Sequence, residues 1–321
     1  MTPHSDPIDA VITWVDGADP VHRAKRAQYM AKAGVLNENA RNPHRWVSSD
    51  EIYFCLFSIY KHAPWIRTIW IVTDGQTPEV SHLPDALRVK ICIVNHTEIF
   101  RGSAHVLPTF NSLAIESMIW RIEGLAERFL YFNDDVFLTA PLQPSDVFTS
   151  NGPVLRGRWV DYAAMLSGPT ARDDPALFNH FMHVNAAAMV GVAATRLYAC
   201  AHVVHPFLRS VMARLSQQHS DAFANNITHR FRDLSQFLPQ GLHTHACIAD
   251  GLGEVTTAKD NLHITSGQGN HQPPDITRTL LTPEALSDVK FLCINDLPQL
   301  ERLIPDVRGL ISAAVGGGVS W

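Results

Sequence analysis

The sequence predicts an α/β protein: a mostly parallel central sheet flanked by helices, with a less regular C-terminal part. Three observations lead there. Short apolar runs rich in β-branched and aromatic residues recur along the N-terminal part of the chain. Stretches with helical spacing of apolar positions fall between them. Several of the strand-like runs end in Asp-Gly or Asn-Asp pairs, which are turn signals. The order strand, helix, strand, strand, helix, strand implies a largely parallel sheet. Such sheets bind ligands at the carboxyl ends of their strands.

The first strand is AVITWV (10–15), which runs into Asp16-Gly17. Residues 24–33 have helical composition. Residues 50–61 form a second helix, with apolar side chains at 52, 56 and 59 and a cap from Ser49 or Asp50. TIWIVT (68–73) is a second strand, ended by Asp74-Gly75, and VKICIV (89–94) is a third. Residues 112–125 are predicted helical, with Ile115, Met118, Ile119 and Ile122 on one face. FLYF (129–132) is a fourth strand and delivers Asn133-Asp134-Asp135. Beyond Pro141 the pattern weakens. Residues 206–215 read as a helix with Pro206 in its first turn, and KFLCI (290–294) as a strand leading into Asn295-Asp296. We expect a single domain over 1–305, divided into an α/β core (1–145) and a completing part (146–305). Residues 306–321 read as a flexible tail.

Composition narrows the function. The chain has 321 residues, 46% of them hydrophobic, enough for a large core. A net charge of −5 argues against a nucleic-acid partner held by bulk positive charge. The five cysteines are odd in number and widely spaced, which argues against a disulfide framework and fits a reducing compartment. The N-terminus lacks a basic segment followed by an apolar core. The longest apolar stretch, 186–194, is short of the ~20 residues that span a bilayer. These features lead us to expect a cytoplasmic protein, peripheral to a membrane at most.

Several residue groups can carry chemistry. Asn133-Asp134-Asp135 at a strand end suits Mg²⁺ or Mn²⁺, because hard cations take oxygen ligands and bridge phosphates. An ordinary solvated turn explains the same residues equally well. Glu116 interrupts an apolar helix pattern, either as an acid/base group or as part of a capping pattern with Ser112. His202 and His205 stand three apart, but in a chain with 17 histidines that spacing is weak evidence. Arg230 and Arg232 would point the same way from an extended segment and could clamp a phosphate. A surface basic pair is the plainer alternative. P-loop, dinucleotide-fold and nucleophile-elbow signatures are missing.

Taken together, these pieces resemble the Stealth family of bacterial capsular-polysaccharide phosphotransferases, which is related to the animal N-acetylglucosamine-1-phosphotransferase α/β subunit. The resemblance rests on IDAVITWVDGADP (8–20), HAPWIRTIWIVTDGQTP (62–78), LPTFNSLAIESMIWRIEGL (107–125) and RFLYFNDDVFL (128–138). AHVVHPFLRSVM (201–212), THRFRD (228–233) and KFLCIND (290–296) continue it in order. It implies a nucleotide-sugar transferase fold, GT-A or Rossmann-like. It also implies transfer of a sugar-1-phosphate, by default N-acetylglucosamine-1-phosphate from its UDP derivative, to a hydroxyl of a growing capsular or exopolysaccharide. UMP would leave.

Carried over by resemblance, the catalytic positions are Asp135, Glu116, His202 and Arg232. Asp16, Gly17, Asp74, Gly75, Arg45, Ser112, Asn133 and Arg230 would bind substrate, and Asp134 with Asp135 would hold Mg²⁺ or Mn²⁺. Asp135 and Glu116 are both candidates for the base. The implied partners are the donor, a polysaccharide acceptor and, at the inner face of a bacterial membrane, the capsule machinery. Asp16 and Asp74 replace asparagines usual in the family, Asn111 a serine, and Phe57 an arginine for which Arg45 and Arg67 could substitute. The competing readings are a conventional metal-dependent glycosyltransferase releasing UDP, and a non-catalytic binding module. The joint presence of Glu116, Asp135, His202 and Arg232 speaks against the module.

Overall fold

A computed structural model describes residues 6–34, 36, 49–265 and 272–317. Its central sheet has five strands in the order β3-β2-β1-β4-β9. These are β1 (Ile8–Thr13), β2 (Ile69–Thr73), β3 (Ile91–Asn95), β4 (Arg128–Asn133) and β9 (His205–Leu208). The first four are parallel, and β9 runs antiparallel beside β4. Side chains alternate between two cores, as the period of two requires. Ala10, Ile12, Ile71, Leu130 and Phe132 face one core. Val11, Val72, Phe129 and Tyr131 face the other.

Helix α1 (Pro20–Lys32) follows β1 and is capped by Asp19, whose carboxylate accepts from the His22 amide. Helix α2 (Glu51–His62) packs in the first core. The second core is covered by α5 (Arg209–Gln218), α6 (Ser220–Thr228) and α7 (Pro239–Ala249).

Two smaller sheets complete the structure. One joins β6 (Phe148–Thr149), β7 (Gly152–Val160), β8 (Leu197–Cys200) and β10 (Glu254–Thr256), with α4 (Phe178–Met189) between β7 and β8. The other has the order β11-β12-β5, from β5 (Val136–Leu138), β11 (Asn261–Thr265) and β12 (Phe291–Asn295). β12 lies antiparallel to β5, so a strand from the far end of the sequence runs beside Asp134-Asp135.

Three expectations are corrected. The helix predicted over 112–125 is only α3 (Ser112–Glu116), followed by a 3₁₀ turn at Ile119–Arg121. Side chains take over its carbonyls. Ser117 Oγ donates to Leu113 O at 2.7 Å, Asn226 donates to the same oxygen, and Trp120 Nε1 donates to Ser117 O. The helix predicted from Pro206 begins at Arg209 instead, because Pro206 pairs with Leu130 inside β9. Proline has no amide to donate and is tolerated on an edge strand such as this one.

Residues 306–317 are not a flexible tail. After α8 (Leu297–Leu303), α9 (Val307–Ala314) docks through Val307, Ile311 and Val315, all fully buried. Each is worth about 1.5–3 kcal/mol of burial, and a His62 ring nitrogen meets Val315 O at 3.1 Å.

Candidate active site

The carboxyl ends of β1 and β2 border a cleft of about 320 Å³. Asp16, Asp74 and Gly75 line it with Trp14, His22 and Lys25. Gly17 lies in the same turn, next to Asp16. The walls are built from the strand-end turns. Gln76 clips the Asp16 backbone by two hydrogen bonds, donating to its carbonyl and accepting from its amide. Gly75 has φ +72°, a conformation that side chains resist. Lys25 of α1 pairs with Asp74 at 2.7 Å.

Polar atoms in and beside this cleft lack partners among the described residues: Trp14 Nε1, His22 Nδ1, Thr73 Oγ1 and His96 Nδ1. Burial costs such groups free energy unless something bonds to them, so the cleft has the chemistry of a ligand site. Burial also lowers the His22 pKa and brings His96 down to about 4, so both rings are neutral donor–acceptors at pH 7.

A second group stands where β4, β9 and β12 meet. Arg232 donates to Ser112 Oγ at 2.8 Å, and the Ser112 hydroxyl bonds Glu116. Glu116 is buried, with one oxygen on Tyr131 Oη at 3.0 Å and the other accepting from Gln240 at 2.8 Å. Tyr131 also bonds Asn133 Oδ1 at 2.6 Å and meets Thr13 Oγ1 at 2.9 Å. Asn133 Nδ2 reaches His202 Nε2 at 3.4 Å. His202 stacks on His263 with centroids 5.1 Å apart. His263 bonds Asn295, which donates to Asp135 Oδ2. Six side chains, both ends included, thus run from Arg232 to His202, and stacking carries the series on to Asp135.

Protonation in this group follows from burial. Burial pushes the Glu116 pKa up, and the nearby Arg232 guanidinium opposes it. The tyrosine has a single proton, and Asn133 Oδ1 is the nearer acceptor. Its hydroxyl therefore sits between Glu116 Oε1 at 3.0 Å and Asn133 Oδ1 at 2.6 Å. His202 is solvent-exposed along its open edge and ringed by protein elsewhere. Its pKa is lowered by burial, against the pull of Asp135. Because an amide NH₂ can only donate, the Asn133 contact leaves Nε2 of His202 as the acceptor.

The acids form the floor. Asp134 is pushed well up by burial, then by Asp135 and Glu51, while Glu51 is itself raised to about 7. Asp135 Oδ1 is buried without a partner among the described residues. Carboxylates that repel one another, one of them unsatisfied, have the character of a hard-cation site.

The remaining expected site residues are placed as follows. Arg230 lies over the Tyr29 ring, 5.0 Å from its centroid, and bonds the carbonyls of His105 and Leu107. Arg232 turns to Ser112 and Asn179, so the two arginines engage different elements and make no joint clamp. Arg45 lies outside the described residues. Arg67, the other suggested substitute for the arginine that Phe57 replaces, is tied to Asp9 at the opposite end of the sheet. Sequence reasoning missed Tyr131, Gln240 and His263. Tyr131 was read only as strand, and the other two sit among ordinary core-like neighbours. Asn295 carried a signal, being an Asn-Asp pair after an apolar run.

With the geometry in place, comparison with known proteins is informative. Residues 6–34 match Stealth protein conserved region 1, and residues 45–155 match conserved region 2. An exopolysaccharide phosphotransferase of Streptomyces coelicolor is 37% identical over 308 residues, covering 95% of this chain and 49% of the relative. A capsular polysaccharide phosphotransferase of Actinobacillus pleuropneumoniae is 40% identical over 149 residues, 45% of this chain and 39% of the relative. The chain spans about half the length of the first curated relatives it matches. Among solved structures, the galactosyltransferase LgtC superposes with a TM-score of 0.41 at 11% identity, covering 95% of each chain.

Proposed function

Because the chain belongs to the Stealth family, we propose that it transfers a sugar-1-phosphate from a nucleotide-diphosphate sugar to a hydroxyl of a capsular or exopolysaccharide. The observation that carries this reading is the continuous group of side chains joining Arg232, Glu116, His202 and Asp135. Four residues proposed for one reaction are joined by one series of side-chain contacts, which reaches solvent at His202.

The cleft beside α1 takes the nucleotide, by default uridine with N-acetylglucosamine as the sugar. Asp16, Asp74 and Gly75 line its wall with Gly17 next to Asp16 in the turn, and the unpartnered atoms of Trp14, His22 and Thr73 supply hydrogen bonds. Asp134 and Asp135 would hold Mg²⁺ or Mn²⁺, whose positive charge would offset that of the diphosphate. Arg232, kept in place by Ser112, would face the transferred phosphate. The acceptor oxygen forms a bond to the sugar-bearing phosphorus, the bridging P–O bond breaks, and nucleoside monophosphate leaves. Neutral His202 would take the acceptor's proton at Nε2, the 3.4 Å Asn133 contact giving way as it does so. Glu116, with both oxygens occupied, orients Asn133 through Tyr131 and does not itself meet substrate.

The test is incubation with a panel of nucleotide sugars, an oligosaccharide acceptor and Mg²⁺, scoring the nucleotide released. Nucleoside monophosphate, with a phosphodiester signal in the phosphorus NMR spectrum, is expected. Nucleoside diphosphate would instead identify a conventional glycosyltransferase attacking the anomeric carbon.

A further inference from the structure

One part of the crevice does not suit a hard cation. Ligand atoms of Asp135, His202 and Cys293 all lie within 4.8 Å of one another. An ion equidistant from three atoms at that largest separation stands about 2.8 Å from each. Zinc bonds thiolate at about 2.3 Å and imidazole at about 2.0–2.1 Å, so inward shifts of roughly 0.5–0.8 Å per ligand would close the site. The donors are one sulfur, one nitrogen and one oxygen, a set that selects zinc-like ions over Mg²⁺.

We propose that Asp135, His202 and Cys293 form a site for a thiophilic dication such as Zn²⁺, exclusive with the hard-cation position because both claim Asp135. Backbone geometry builds it. β12 pairs with β5 so that Cys293 stands opposite Val136, next in sequence to Asp135. The Ile294 amide donates to Asp135 O at 3.0 Å, which fixes the carboxylate beside the thiol. β9, antiparallel to β4, places the segment bearing His202 across from Asn133. Cys293 is fully buried and His202 exposed, so the ion would enter past the imidazole and settle on the sulfur.

Charge balances on binding. The thiol proton passes to solvent, and one thiolate with one carboxylate neutralises the dication, with the imidazole neutral. Asn295 already holds the other oxygen of Asp135, the orienting contact that metal-bound carboxylates commonly have. Occupation would take the His202 lone pair and the Asp135 carboxylate together, so the bound ion is an inhibitor. That consequence rests on the proposed phosphoryl-transfer role, whereas the binding itself does not.

The binding test uses Co²⁺ alone, added to the chelator-treated protein. A thiolate-to-cobalt charge-transfer band and intense visible bands of a four-coordinate ion are expected, bleached by stoichiometric Zn²⁺ but not by excess Mg²⁺. Cys293→Ser should abolish the charge-transfer band, while Cys55→Ser should retain it. His202→Asn, at the exposed wall, should weaken Co²⁺ affinity at least tenfold without threatening the core. A band that persists in folded Cys293→Ser, or that never forms in the parent protein, overturns the site. If the site stands, Zn²⁺ should inhibit Mg²⁺-supported nucleotide release at least tenfold less strongly in Cys293→Ser. Equal inhibition of both proteins would overturn the inhibitory role and leave the donor reaction itself measurable.

Discussion

His202 carries the sharpest expectation for a single residue. It is neutral at pH 7 because burial lowers its pKa, and its acceptor nitrogen faces Asn133. Replacement by Asn should cost roughly 10²–10⁴ in kcat with little change in KM, the loss expected for a general base. The acid limb of the pH–rate profile should flatten with it. Full activity of the variant, or an unchanged acid limb, would transfer the role to Asp135. The acids were legible in the sequence because each ends a local apolar run. Tyr131 was not legible in its role. Its hydroxyl matters only because Thr13, Glu116 and Asn133 converge on it, and no local pattern encodes that convergence.

At the scale of elements, antiparallel β9 decides whether the site forms. It is clamped from behind by α7, where His243 Nε2 accepts from the Leu208 amide at 2.9 Å. Burial brings the His243 pKa down to about 3. The unfolded chain takes up a proton at this histidine below about pH 6.5, while the folded chain does not until near pH 3. Its contribution to stability is therefore complete above pH 6.5 and falls by about 1.4 kcal/mol per pH unit between the two values. In His243→Gln the slope of unfolding free energy against pH between 6 and 4 should be smaller by about one proton, measured by urea titration at each pH. An unchanged slope would mean that His243 is protonated in the native state.

The same element shows where sequence reasoning stopped. The parallel strands were readable from their apolar runs, but β9 was taken for the first turn of a helix. The Pro206 rule was applied without the neighbour, Leu130, that makes the segment a strand.

Across the whole molecule, Arg156 is the tie. Its guanidinium, 5% exposed, forms a bidentate pair with Asp260 at 2.7–3.2 Å, bonds Asp146 O and lies 4.5 Å over the Phe291 ring. β7, the approach to β11 and β12 therefore share one buried charge. Asp260→Ala would leave that charge unpaired and should lower stability by about 3–5 kcal/mol. Thermal unfolding followed by circular dichroism would measure it, and a change under 1 kcal/mol would show that water reaches the guanidinium. None of this was readable in advance, since Arg156 and Asp260 lie 104 positions apart with no local signature at either end.

The pairing of β12 with β5 has a consequence for biosynthesis. Asp135 and Asn295 are separated by 160 positions, so a ribosome must translate almost the whole of this stretch before the acids acquire their companion strand. Until then the acids lack the strand that holds Asp135 through Asn295. On the proposed reaction, a chain cut before β12 would lack the Asn295 contact to Asp135, and its nucleotide release should fall.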